Sequence, residues 1–211
     1  MNIDVLFQNE QIIVVNKPSG VLVHPSKESS DKVSMLKILR DELGHFLYPI
    51  HRLDRPVSGV LIFGKTSEAA SIYSNKLNSK DTIKKYIALC KGNLNEKVVI
   101  DSPLLSQDKT KTLDAYTELI PIKTNEFVSL VEVFIKTGRY HQIRRHCSRV
   151  GHQIIGDSMH GKGKYNKYYR ENFGLNRIFL HCRSIELDGY KFIAPMPNEL
   201  DSVIQQLSLD K

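Results

Sequence analysis

Apolar residues recur along this chain with two spacings, and the change from one to the other separates its elements. Residues 11–15, QIIVV, place four apolar residues in a row and predict a buried strand. After the turn NKPSG, the run GVLV at 20–23 predicts a second strand. Val33, Leu36, Leu39 and Leu43 repeat every three to four residues, which puts them on one face of a helix over 33–43. The VLIF that follows Gly59 reads as a strand. Thr66 is placed to cap a helix with Glu68 in its first turn and Ala69, Ile72, Tyr73 and Leu77 facing inward. KYIALCKG (85–92) and VSLVEVFI (128–135) are strands, the second with Val131, Val133 and Ile135 on one face. A helix is predicted over 141–150 and a strand region over 177–187. Asn198 caps a last helix that turns Leu200, Val203, Ile204 and Leu207 inward.

Strands outnumber helices here and do not alternate with them in a βαβ rhythm. The pattern therefore predicts an α+β fold with a mixed, largely antiparallel sheet and flanking helices. The stretches 26–32 and 157–174 carry the weakest periodicity, and neither is long enough for a linker. The expected organisation is one domain over 1–211, compatible with two lobes around a central cleft.

Composition narrows the class. With 41% apolar and 25% charged residues and no long apolar run, neither a membrane span nor a signal peptide is expected. Three cysteines without CxxC spacing fit a reducing cytoplasm and argue against a disulfide framework or a zinc site. The net charge of +7 suggests a polyanionic partner, most simply nucleic acid.

Four stretches could carry chemistry. In HRLDRPVSG (51–59), Asp54 lies between Arg52 and Arg55, cations that favour its charged form, and the Pro and Gly that follow impose a tight backbone path. Such an acid is a nucleophile or proton acceptor, or else a solvated loop residue. In TGRYHQIRRHCSRVGH (137–152), Thr137 or Gly138 is expected to open a helix with Ile143, Cys147 and Val150 as its apolar stripe. Arg139 and His141 could meet phosphate at its N-terminus, and Arg144 could point into a cleft as partner to a buried acid; the alternative is a solvated basic helix. Tyr86 is either a core strand tyrosine or a ring that stacks on an extruded base. In HGKGKYNKYYRENFG (160–174), lysines including Lys164 and Lys167 interleave with tyrosines, as expected of an RNA-contacting loop or of a solvated loop with aromatics packed beneath. His24 and His51 are single histidines, more often structural than catalytic.

Together these segments resemble the RluA-type family of RNA pseudouridine synthases. HRLDRPVSGVLIF matches the family's central motif, with Val57 where Thr is usual. VVNKPSGVLVHP (14–25), KKYIALCKG, KTGRYHQIRRH (136–146), GHQIIGD (151–157) and FLHCRSIEL (179–187) match its other motifs in order, with Cys182 where Ala is common. HRLDRP, GDSMHG and NFGLNRIFLH are most similar to the branch that modifies a uridine at the acceptor-stem end of tRNA. The likeness implies the catalytic-domain fold of that family, without an appended S4-type RNA-binding domain. It implies Asp54 as the catalytic carboxylate, Arg144 as its partner and Tyr86 as the ring that stacks on the base and can move a proton. Arg52 would enter the RNA where the base leaves, Ile143 and Leu180 would exclude water, and Arg139, His141, Lys164 and Lys167 would contact the substrate. The reaction exchanges an N1–C1′ bond for a C5–C1′ bond without redox change, so it implies no cofactor.

The expected protein is thus a monomeric cytoplasmic enzyme acting on tRNA, with 23S rRNA as the alternative substrate. A glycoside or nucleoside hydrolase would want a second carboxylate across the bond, and no second acid is obvious near these motifs. A plain RNA-binding module would not need Asp54, Tyr86 and Arg144 together.

Overall fold

The computed structural model describes residues 3–25 and 33–209. In chain order the elements are β1 (Asp4–Gln8), β2 (Ile12–Lys17), α1 (Met35–Leu43), β3 (Tyr48–Pro49), β4 (Ser58–Gly64), α2 (Ser67–Leu77), β5 (Ile83–Lys91), β6 (Val98–Ile100) and β7 (Leu104–Leu105). They continue with β8 (Thr112–Leu113), β9 (Thr117–Thr124), β10 (Val128–Ile135), α3 (Gln142–Arg149), α4 (Gly163–Phe173), β11 (Leu180–Leu187), β12 (Tyr190–Ile193) and α5 (Asn198–Gln206). The α+β class with a mixed, mostly antiparallel sheet is the one the pattern predicted, with five helices among the described residues. None of these helices is long and apolar enough to cross a membrane.

The chain forms two compact units, Met1–Thr82 with Cys182–Pro195, and Ile83–His181 with Met196–Lys211. In the first, strands run in the order β1-β2-β4-β11, with β12 on β11 and β3 beside β4. Every residue of β4 is buried, and so is nearly all of β2, which explains why both read as continuous apolar runs rather than alternating ones. In the second, β5-β10-β9-β6 lie side by side with antiparallel pairing, and Val128 to Ile135 pair residue for residue with Lys91 to Lys84. Its core gathers Leu89, Val128, Leu130, Ile155, Tyr169, Phe179, Leu200 and Val203, so α4 and α5 both pack on strand side chains. β7 and β8 form a separate hairpin.

Several expectations change. GVLV is not a strand: Leu22 makes only a single parallel bridge to Ser34. The Val21 carbonyl accepts the Lys17 ammonium, and the Leu22 and Val23 carbonyls accept the first N–H groups of α1, so none is left for a ladder. Val33 is exposed because α1 starts later, where the Ser34 hydroxyl caps Lys37 N–H and buries Met35 and Leu39. Thr66 caps α2 as expected, but Ile72 faces solvent, one position off the stripe of Ala69, Tyr73 and Leu77. Pro197 rather than Asn198 occupies the cap of α5. The stretch 26–32 lies outside the described residues. The stretch 157–174 is regular: it is a turn followed by α4. Tyr165, Tyr168, Tyr169 and Phe173 stand at helical spacing, a period masked by the glycines, lysines and asparagines around them.

Gly59 begins the run into β4 with φ of +117°, and a Cβ there would lie 2.2 Å from the Cys182 carbonyl oxygen. Gly59→Ala is expected to destabilise the chain by about 2–4 kcal/mol, from backbone strain plus forced separation of two strands, read as a lowered urea midpoint. A midpoint equal to that of the parent chain would show that β4 and β11 can part at no cost.

Candidate active site

In the first unit, the loop that carries Asp54 is built against the turn after β2. Lys17 is fully buried, and its Nζ donates to the carbonyls of Pro18 (2.8 Å), Val21 (2.7 Å) and Arg55 (3.1 Å). Gly20 N–H donates to the Arg55 carbonyl, the Ser19 hydroxyl to the Pro56 carbonyl, and Arg55 Nε to the Gly20 carbonyl. Val57 N–H closes a turn onto the Asp54 carbonyl at 2.9 Å, and His51 Nε2 accepts Ile62 N–H from β4. Asp54 is half-buried, Arg52 is exposed, and Leu53 and Val57 are buried on either side. The backbone around this acid is therefore fixed by side chains of NKPSG, a pairing of two motifs that sequence spacing alone does not reveal. His24 is exposed.

The second unit holds Tyr86, Arg139, His141, Ile143, Arg144 and Leu180. Tyr86 is buried on β5 opposite Val133, on the strand face it shares with Lys84 and Ala88. Lys84 is itself buried, a position hidden in the sequence by the doubled lysine KKY. Leu180 is buried at the start of β11, and its carbonyl accepts Arg177 Nη2.

Helix α3 opens differently from the expectation. Neither Thr137 nor Gly138 caps it: His141 does, with φ of +51° and no side-chain cap. Gln142 bends back instead, its Oε1 accepting the Thr137 hydroxyl (2.7 Å) and Arg139 N–H (3.0 Å) while its Nε2 donates to the Tyr116 carbonyl and Thr117. Arg139 Nε donates to the Asp114 carbonyl, the His141 ring stacks on Tyr140, and His141 Nδ1 lies 3.0 Å from His160 Nε2. Ile143 and Cys147 are buried, but Val150, in the apolar stripe by spacing, is exposed past the helix end. Arg145 and Arg149 are not merely solvated: they donate to the carbonyls of Leu105 and Pro103 and hold the β7–β8 hairpin.

Arg144 is 5% exposed and meets a carboxylate that the sequence reading passed over. Its Nε donates to Asp157 Oδ2 and its Nη2 to Asp157 Oδ1, both at 2.8 Å. Asp157 Oδ1 also accepts the N–H groups of Met159 (2.9 Å) and His160 (3.0 Å). Burial alone would push the Asp157 carboxyl up, but the Arg144 guanidinium and the two N–H groups outweigh it and hold the carboxyl below the ordinary range. Asp157 ends the motif GHQIIGD, and an acid directly after a glycine was the available signal.

Helix α4 is clamped to the same turn. Asn166 donates from Nδ2 to the Asp157 carbonyl (2.7 Å) and accepts Gly156 N–H (2.9 Å). Tyr169 is buried in the core, where burial pushes its phenol up to about 12. Lys164 and Lys167 are exposed, and Lys91 Nζ sits 5.0 Å from the Tyr165 ring centre. Lys164 and Lys167 thus stand on a helix and not in a loop.

A mixed, mostly antiparallel sheet with five helices among the described residues is the fold of one class of RNA-modifying isomerase. The profile of that family, described as RNA pseudouridylate synthase, matches residues 11–149, and the chain belongs to it. The tRNA pseudouridine synthase C of Vibrio parahaemolyticus is 34% identical over 100% of this chain and 92% of its own. That of Salmonella typhimurium is 36% identical over 88% and 80%. Among solved structures, human RNA pseudouridylate synthase domain containing 4 superposes with a TM-score of 0.80 at 22% identity, covering 97% of this chain and 93% of that one. Human RNA pseudouridylate synthase domain containing 1 gives 0.75 at 22%, covering 99% and 94%. The two human structures establish the fold, and the family together with the bacterial relatives establishes the activity of an RNA pseudouridine synthase.

The depressed Asp157 carboxyl links stability to pH. The unfolded carboxyl takes up a proton first, so the stability it supplies is complete above the ordinary carboxylate value and is lost as pH falls through the lower folded value. Asp157→Asn is expected to flatten the acid limb of a stability-versus-pH curve below about pH 4. An unchanged acid limb in urea titrations would remove Asp157 as its source.

Proposed function

We propose that this pseudouridine synthase acts on tRNA, at a uridine near the end of the acceptor stem, as a cytoplasmic monomer without a cofactor. The observation that carries the tRNA reading is the alignment with proteins named tRNA pseudouridine synthase C, at 34% and 36% identity over most of both chains. The acceptor-stem position rests on the likeness of HRLDRP, GDSMHG and NFGLNRIFLH to that branch. The net charge of +7 fits a polyanionic substrate.

In this reading Asp54 is the reacting carboxylate, either attacking C1′ or abstracting a proton to give a glycal. The N1–C1′ bond breaks, the freed base turns, and C5 bonds to C1′. The hydrogen on C5 leaves as a proton, and N1 gains one, so the change is an isomerisation. Arg144 stabilises the charge on Asp54, and Tyr86 stacks on the base and can move a proton. Arg52 takes the space the base vacates. Ile143 and Leu180 keep water from the intermediate, and Arg139 and His141 shape the site or touch phosphate. Lys164 and Lys167 hold the RNA backbone from outside the chemistry.

Tritium release from RNA labelled with [5-³H]uridine tests the reaction and the substrate together, because C5 loses its hydrogen only when the new carbon–carbon bond forms. Release from tRNA transcript and not from 23S rRNA transcript is expected, and Asp54→Asn should abolish it while RNA still binds. Release from rRNA alone would replace the tRNA reading, and retained release in Asp54→Asn would take that residue out of its role. Lys164→Ala with Lys167→Ala is expected to weaken binding mainly at low salt and to reduce the slope of log K against log salt by about 1 to 2. An unaltered slope would make both lysines bystanders.

A further inference from the structure

We infer that Asp157 is the positioning residue of the reaction, holding the Arg144 guanidinium in the one orientation in which it serves the reacting carboxylate. This inference rests on the proposed role of Arg144. An arginine side chain is long and flexible, and a single charge contact would leave its plane free to turn. Asp157 makes a side-on fork, with Nε on Oδ2 and Nη2 on Oδ1, both at 2.8 Å, which fixes the plane and turns the Nη1 corner away from Asp157.

The acid is itself immobilised. Its Oδ1 accepts two N–H groups of its own turn, and its carbonyl accepts Gly161 N–H and the Asn166 amide. Glycines on both sides let other backbone come close: a Cβ on Gly156 would lie 2.0 Å from the Arg177 carbonyl oxygen, and one on Gly161 would lie 2.3 Å from that of Asp157. At 1% exposure the carboxylate is buried, and its recorded partners are all protein groups. Such rigidity exceeds what neutralising one arginine requires. It suits an electrostatic partner that must be in place before the charge on the substrate develops.

A double-variant cycle tests this with single-turnover tritium release from labelled tRNA, alongside RNA affinity by filter binding. Asp157→Asn is expected to lower the rate about a hundredfold with RNA affinity unchanged, the effect of a misplaced group and not of lost binding. Arg144→Met should be at least as slow. In the Arg144→Met background, Asp157→Asn should have no further effect, because there is no guanidinium left to aim. The double variant also removes both charges together, so it leaves neither buried unpaired. If Asp157→Asn does not fold, Asp157→Glu replaces it: the charge stays but the added methylene shifts the fork, and the same slowing is expected. Multiplicative losses in the cycle, or an Asp157 variant within threefold of the parent rate beside a slow Arg144→Met, would overturn the inference and leave the role of Arg144 standing. A fully active Arg144→Met would overturn both.

Discussion

The braced loop of the first unit depends on a lysine ammonium taken out of water. Burying that charge is costly unless hydrogen bonds replace its hydration, and Lys17 finds them in three carbonyls from two segments. Two of the three lie in the turn after β2, and the third belongs to the residue next to Asp54. Removing the amine would leave three inward carbonyls to find new donors. The loop therefore takes part of its shape from a distant strand end and not from its own sequence alone. A short, Pro- and Gly-containing loop presents its acid in one direction when a neighbouring segment braces its backbone, and here that segment is the NKPSG turn.

The second unit solves a related problem with the signs reversed. There an anion, Asp157, is drawn out of solvent to hold a cation. Both arrangements put a long, flexible basic side chain under several fixed oxygen atoms. Neither is explained by stability alone, since apolar replacements of buried ion pairs are often at least as stable. What such clusters supply is direction: each holds a flexible side chain to one path.

The sequence showed some of this and hid the rest for definite reasons. VSLVEVFI is the strand β10 to the residue, because Val131, Val133 and Ile135 recur two apart on one buried face, the period of a strand. The acid in HRLD stood out through its neighbours. GVLV looked equally like a strand, but its carbonyls were committed to a lysine and a helix end, which no local pattern records. Residues 160–174 looked like a loop, since residues of low helix propensity obscured an aromatic stripe that tertiary packing then rewards. Asp157 was overlooked because its partner lies thirteen positions away, and short-range periodicity carries no news of a contact between a helix and the turn beyond it.

Cys90, Cys147 and Cys182 are all buried, and none of them is in a disulfide. Contact with Cys90 and burial push the Cys147 thiol well up, so it is a poor nucleophile at neutral pH. The surface is thus chemically silent toward maleimides while the protein stays folded. A single cysteine placed anywhere outside would be the one site that a dye or spin label finds. This chain comes ready-made for mapping where an RNA lies against it, one probe position at a time.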